Sequence, residues 1–258
     1  MVKKPVIFPI DGQTTYTSVI DSFFKLFQHD AAREMVGMVK LNDALHISPG
    51  GGKELITGIR DVSRENGWGM AEIFLDLKLF DVSGTISNML KQYAEMFPAV
   101  ITVSSEVSCQ SLLRIREIFP SALIALVGAL TDISEDEFRR KHGMTPAEYI
   151  AEMLLFFEGE IGEENPIGAF VCSPLEVRHL KDEFGDRFKA IVPGVRSLFM
   201  EPDHQKRVAS PYDALLAGAE YLVISSQLKE GLKAGIFQEE RVNRTNAEIQ
   251  RAYTQLAC

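Results

Sequence analysis

The chain is predicted to fold as a (β/α)₈ barrel, an α/β architecture, and three observations predict it. Eight short runs rich in Val, Ile and Leu recur along the sequence. Helical stretches separate and follow them. The length, 258 residues, is a common size for one such barrel. Most of the runs lack polar alternation, as parallel strands buried on both faces do. An open doubly wound sheet usually begins with a Gly-rich strand-to-helix turn, and the first turn here, P-I-D-G-Q-T-T, matches that poorly.

In order, the predicted strands are V-I-F-P-I (6–10), V-G-M-V-K-L (36–41), I-F-L-D-L-K-L (73–79), V-I-T-V (100–103), L-I-A-L-V-G-A-L (123–130), G-A-F-V-C (168–172), A-I-V-P (190–193) and Y-L-V-I-S (221–225). Helical patterns fill the gaps, among them S-V-I-D-S-F-F-K-L-F (18–27), S-L-L-R-I-R-E-I-F (111–119) and P-L-E-V-R-H-L-K-D-E-F (174–184). The connection from Ile133 to Asn165 is oversized. It reads as a helical insertion (133–165) in one barrel domain spanning 1–258, opened by a capping box of Ser134 and Glu137. Trp68, in N-G-W-G, is expected to anchor a loop, and Met35, Met38 and Met70 to fill the core around strands two and three.

Asp and Glu outnumber Lys and Arg by 36 to 27, which disfavours nucleic acid or an anionic membrane as the main partner. The three cysteines, Cys109, Cys172 and Cys258, form no C-x-x-C pair, so neither a zinc site nor a disulfide framework is indicated. A reducing cytoplasm fits that usage. The first apolar run ends at Asp11, too early for a signal peptide or a membrane helix. The five histidines show no metal-ligand spacing.

In a β/α barrel the reacting groups sit at the C-terminal ends of the strands. Strand one ends in Asp11 and strand two in Lys40; strand three carries Asp76 and Lys78, with Asp81 directly after. Along F-L-D-L-K-L-F-D the side chains alternate. Asp76 and Lys78 are therefore expected to point inward, and Leu75, Leu77 and Leu79 outward beneath the helices. A buried charge costs several kcal/mol unless paired. An alternating Lys and Asp array offsets that cost and holds each group ionised. One Asp–Lys pair on a barrel strand is as often structural as functional; four charges on one rim favour function.

At this point the residues resemble a known family. F-L-D-L-K-L-F-D-V-S-G-T (74–85), M-V-K-L-N-D-A-L (38–45), V-P-G-V-R (192–196) and the segment 204–224 are similar to the orotidine 5′-phosphate decarboxylases, from about Val6 to Leu228. The resemblance implies conversion of orotidine 5′-phosphate to UMP, a step of pyrimidine biosynthesis, without metal or organic cofactor. It implies that Lys78 donates a proton to C6, that Asp76 presses on the substrate carboxylate, and that Lys40 holds Asp76 and contacts the ribose. It also implies a homodimer, in which Asp81 and Thr85 come from the neighbouring subunit, and ribose contacts from Asp11 and Thr85.

The sequence departs from the family at the other end of the ligand. Ser225 and Ser226 stand where strand eight usually ends in Gly-Arg, so a bidentate arginine–phosphate contact is lost. Lys229 is three residues further on. The usually Gly-rich loop after strand seven carries Leu198, Phe199 and Met200, with Gln205 beyond, and Arg196 reads as a brace for it. Asp132 replaces the serine that reads the pyrimidine, and T-V-S-S lacks the family's histidine after strand four. The candidate ligand contacts at this end are Asp132, Gln205, Ser225 and Ser226. Two other readings stay open: a sibling decarboxylase with a different, even unphosphorylated, substrate, and a non-catalytic binding descendant. The metal-using sugar-phosphate members generally carry an acid at the position of Lys40.

Overall fold

The structure is a computed structural model and describes residues 4–47, 50–200, 209–229 and 237–257. Eight parallel strands close into a barrel in sequence order: β1 (Val6–Pro9), β2 (Val36–Leu41), β3 (Glu72–Leu79), β4 (Val100–Ser104), β5 (Leu123–Val127), β6 (Ile167–Val171), β7 (Lys189–Val192) and β8 (Tyr221–Val223). Closure removes sheet edges, and the strands, covered outside by helices, are almost wholly buried. The fifth and eighth strands end earlier than the apolar pattern predicts, at Val127 and Val223, because the chain turns outward to form the rim.

The outer layer contains α1 (Tyr16–Phe27), α2 (Asp30–Met35), α3 (Gly51–Glu65), α4 (Ser83–Lys91), α5 (Cys109–Ile118), α6 (Glu135–His142), α7 (Pro146–Ile161), α8 (Val177–Phe184), α9 (Pro211–Leu216) and α10 (Gln238–Leu256). The α1 stripe of Val19, Phe23, Leu26 and Phe27 faces the barrel, and Trp68 packs over Phe24 and Phe27 at 5.5 and 6.2 Å between ring centroids. Between β5 and β6 lie two helices. The second, α7, packs against α5 and α8, the place of a regular outer helix, so α6 is the added element. Ser134 caps α6 by accepting the Glu137 N–H. The reciprocal two-way box forms instead at Thr145 and Glu148, where it opens α7.

The core has two parts. The larger fills the space between barrel and helices; the smaller lies inside the barrel and contains Ile7, Met38, Phe74, Val100, Ala125, Ala169 and Ile191. The inner residues form an apolar floor under the mouth. Met35 and Met38 are buried as expected, but Met70 is exposed: it lies in the approach to β3, before the strand begins, with no helix over it.

Gly37 marks an irregularity between β1 and β2, where Val6 pairs with Val36 but Ile7 pairs with Met38. A Cβ at Gly37 would lie 2.6 Å from the backbone oxygen of Lys4. Gly37→Ala is therefore expected to lower stability by about 1–3 kcal/mol, read as a lower urea midpoint at unchanged m-value. A wild-type midpoint would contradict this close approach.

Candidate active site

One layer above the floor, the inward positions of β2, β3 and β4 turn polar. Met38, Phe74 and Val100 are followed two residues on by Lys40, Asp76 and Thr102, the spacing that returns a strand to the same face. All three are buried. The ammonium of Lys40 lies 3.0 Å from Asp76 Oδ2 and 3.1 Å from Asp11 Oδ2. The ammonium of Lys78 lies 2.8 Å from the same Asp76 oxygen. The other oxygen, Oδ1, accepts the Thr102 hydroxyl at 2.9 Å. Asp11, Lys40, Asp76 and Lys78 thus form a continuous alternating array in which two cations balance two anions.

Burial pushes the Asp76 carboxyl up, but the flanking ammoniums of Lys40 and Lys78 outweigh it and hold its pKa below the ordinary 3.8. Burial pulls Lys40 down, and Asp76 and Asp11 outweigh that, holding it above 10.5. Asp76 is therefore a fixed anion at neutral pH.

The third strand is not regular here. Leu75 pairs with Ile101 and Leu79 with Val103, so four steps on β3 answer two on β4. Within this bulge Lys78 takes a φ of 45°, a left-handed conformation rare for a residue with a side chain. Its N–H, removed from the ladder, donates to Thr102 Oγ1 at 2.8 Å. Thr102 therefore holds both the Lys78 backbone and the Asp76 carboxylate. Strain of this kind costs about 1–3 kcal/mol and persists where surrounding bonds impose it. Leu75, Leu77 and Leu79 pack outward as the alternation predicts, while the bulge gives Lys78 its own orientation. The Lys78 side chain remains 37% exposed, open to the cavity.

The cavity above the array has a volume of about 410 Å³, adequate for a small organic ligand. Its walls differ. Asp11, Lys40, Asp76 and Lys78 line one side; Val127, Val171, Ile191 and Val223 line the other. Ser225, Ser226, Gly194 and Arg196 close the far end.

Of the residues singled out in the sequence, Asp11, Lys40, Asp76, Lys78, Ser225 and Ser226 meet at this cavity. Asp81, Thr85 and Asp132 do not line it. They are exposed, because β3 and β5 have already ended and the chain has turned away. The Asp81 carboxylate accepts the N–H of Val82 at 2.7 Å. Gln205 lies outside the described residues. Arg196 is more than a loop brace: it lines the cavity, and its Nη2 donates to Ser226 Oγ at 3.2 Å. The signal available in the sequence was the pairing of an arginine after strand seven with the small residue after strand eight. Lys229 is turned the other way, its ammonium on the backbone oxygen of Asp11 at 2.9 Å. Thr102, hidden in an apolar run, was also missed. Among the described residues, no group of three or more His, Cys, Asp and Glu is placed to hold a metal ion, and no helix is long and apolar enough to cross a membrane.

Comparison with known proteins points the same way. A family model described as orotidine 5′-phosphate decarboxylase / HUMPS family matches residues 26–230. The orotidine 5′-phosphate decarboxylase of Desulfosudis oleivorans is 34% identical over 200 residues, covering 76% of this chain and 77% of that protein. That of Saccharophagus degradans is 31% identical, covering 67% and 73%. Among solved structures, the orotidine 5′-phosphate decarboxylase of Lactobacillus acidophilus superposes with a TM-score of 0.68 at 21% identity, covering 95% of this chain and 99% of that one. At that identity the superposition speaks for the fold.

Two outcomes test the array. Thr102→Val leaves the Lys78 N–H without its acceptor, and is expected to cost about 1–3 kcal/mol in chemical unfolding; an unchanged stability would contradict the role of Thr102. The second concerns pH. A depressed Asp76 stabilises the fold above its ordinary 3.8 and loses that contribution as pH falls through its lower folded value. A raised Lys40 stabilises below 10.5 and loses that contribution as pH rises through its higher folded value. The stability gap between wild type and a Lys40→Met/Asp76→Leu variant should therefore be level from about pH 4 to about pH 10 and change only outside that window. A gap that changes between about pH 5 and pH 8 would contradict it.

Proposed function

The chain belongs to the orotidine 5′-phosphate decarboxylase / HUMPS family, and we propose that it converts orotidine 5′-phosphate to UMP and carbon dioxide at the charged mouth of the barrel. The observation that carries this reading is the Asp76 carboxylate fixed between the Lys40 and Lys78 ammoniums, facing an apolar wall. In the alternative branch of the family, sugar-phosphate chemistry, an acid is expected at the position of Lys40. Here Lys40 is a cation that already neutralises Asp11 and Asp76.

The base lies in the cavity with its C6 carboxylate against Asp76 and C6 itself over Lys78. The two carboxylates repel each other. The C6–carboxylate bond breaks, carbon dioxide leaves, and the electron pair stays on C6. The Lys78 ammonium stabilises that developing charge and gives C6 its proton, forming UMP. Preorganised charge of this kind is worth more in a low-dielectric site than in water and needs no reorganisation as the bond breaks. Lys78 recovers a proton through its exposed side. Asp11 and Lys40 hold the ribose hydroxyls, and Ser225, Ser226 and Arg196 receive the phosphate. The chemistry asks for no metal or organic cofactor.

The active unit is a homodimer in which Asp81 and Thr85 complete the neighbour's site, in a soluble cytoplasmic enzyme. Asp81 supports this: it sits between Phe80 and Val82, both about 70% exposed, with Met89 nearby on α4, an apolar face around a charge that its own cavity does not use. Asp132, also outside the cavity, directly follows Thr131, which lines it.

Purified protein is expected to consume orotidine 5′-phosphate, seen as the change in ultraviolet absorbance, and Lys78→Ala to lose at least about a thousandfold in kcat. Wild-type turnover no higher than that of Lys78→Ala would overturn the assignment. Mixing inactive Lys78→Ala and Asp81→Ala proteins should restore about a quarter of the wild-type activity, because half the dimers are mixed and each mixed dimer has one intact site. No recovery after subunit exchange would exclude a shared site.

A further inference from the structure

A buried polar cluster behind the phosphate end of the cavity is left unexplained by the chemistry. The loop after β7 and the turn after β8 run side by side and are linked at two consecutive positions. Arg196 Nη2 donates to Ser226 Oγ at 3.2 Å. One residue on, the Ser197 N–H donates to Gln227 Oε1 at 2.9 Å, and Gln227 Nε2 returns a bond to Ser197 Oγ at 3.0 Å. The same Nε2 reaches Thr245 Oγ1 on α10 at 2.8 Å. Arg241, also on α10, donates from Nε to the Gln227 backbone oxygen at 3.0 Å and from Nη2 to that of Lys229 at 2.6 Å. Ser197, Gln227, Arg241 and Thr245 are each 2% exposed or less.

A hydrophobic plug would hold two loops together as firmly, and a half-satisfied polar network is costly. What a network adds is register: it fixes which residue stands opposite which. The register here places the Arg196 guanidinium over Ser226, at the cavity wall. Ser226 is small enough to leave that space, and its hydroxyl receives the guanidinium. Arg196 is thus aimed at the end of the cavity where an anion would sit, and the residue beside it is the one Gln227 holds.

We infer that Gln227 is a positioning residue that presents Arg196 to the phosphate of the substrate. The inference rests on the decarboxylase reading above. Gln227 touches no ligand; it acts through Ser197 on the placement of its neighbour.

The test compares orotidine 5′-phosphate with the phosphate-free nucleoside orotidine as substrates. Gln227→Met keeps the bulk and removes the hydrogen bonds. It is expected to raise KM for the phosphorylated substrate about tenfold with kcat within about threefold, and to leave kcat/KM for the nucleoside within about twofold. Because Gln227 acts through Arg196, the KM of Gln227→Met/Arg196→Ser should match that of Arg196→Ser alone. Thr245→Val removes one bond from Gln227 and should raise KM for the phosphorylated substrate about threefold; it carries the test if Gln227→Met does not fold. Equal losses on both substrates, or a Gln227 effect that adds fully to that of Arg196→Ser, would overturn the inference while leaving the decarboxylase reading intact. A wild-type protein inactive on orotidine 5′-phosphate would instead remove the reading, and this inference with it.

Discussion

A single carboxylate oxygen, Asp76 Oδ2, receives both the Lys40 and the Lys78 ammonium, and the arrangement of the barrel mouth follows from that pairing. Two ammoniums this close would repel each other without the anion between them. The anion in turn would be costly at this burial without both cations. The contact also ties three strands together. Lys40 comes from β2, Asp76 and Lys78 from β3, and Thr102 of β4 closes the far side. The price is paid locally by Lys78, whose left-handed backbone lets the chain bulge so that its amine turns back on Asp76. Bulge, threonine and carboxylate form one unit, and none of them is favourable without the others.

The mouth divides into halves with different physics. Strands β1 to β3 deliver the charges, backed by the Thr102 hydroxyl of β4, and β5 to β8 present Val127, Val171, Ile191 and Val223. An apolar wall opposite a charged one excludes water and lowers the local dielectric, so each charge acts more strongly. Beyond the apolar wall the polarity returns, but by a different route. At the β1–β4 side ionised groups hold one another. At the β7–β8 end the Gln227 side chain bonds a backbone amide and two hydroxyls, and the buried Arg241 guanidinium holds its backbone oxygen, so the contacts fix position without an array of alternating charges. One end of the cavity is arranged for electrostatics and the other for placement.

The fold was legible because parallel strands buried on both faces leave a strong mark: all eight apolar runs overlap strands, and the shortfalls fall at Val127 and Val223, where the rim residues are apolar without being in the sheet. Asp11, Lys40, Asp76 and Lys78 were legible because unpaired charges do not survive at strand ends. The bulge at Lys78 was not, since L-D-L-K-L alternates perfectly and the departure depends on pairing with β4. Thr102 is indistinguishable in sequence from a β-branched strand residue. Met70 read as core through its neighbours, whereas its exposure depends on where β3 begins. Arg196 and Ser226 are thirty residues apart, and only the closed barrel brings the loop after β7 against the turn after β8.

The central claim is that Lys78, held by Asp76, faces the carbon that loses carbon dioxide. A crystal structure of the protein with bound UMP tests it most directly. The account predicts C6 of the base about 3 Å from the Lys78 ammonium, with the phosphate at the end of the cavity that Arg196 closes. UMP bound with its base turned away from Lys78, or in another part of the barrel, would contradict it.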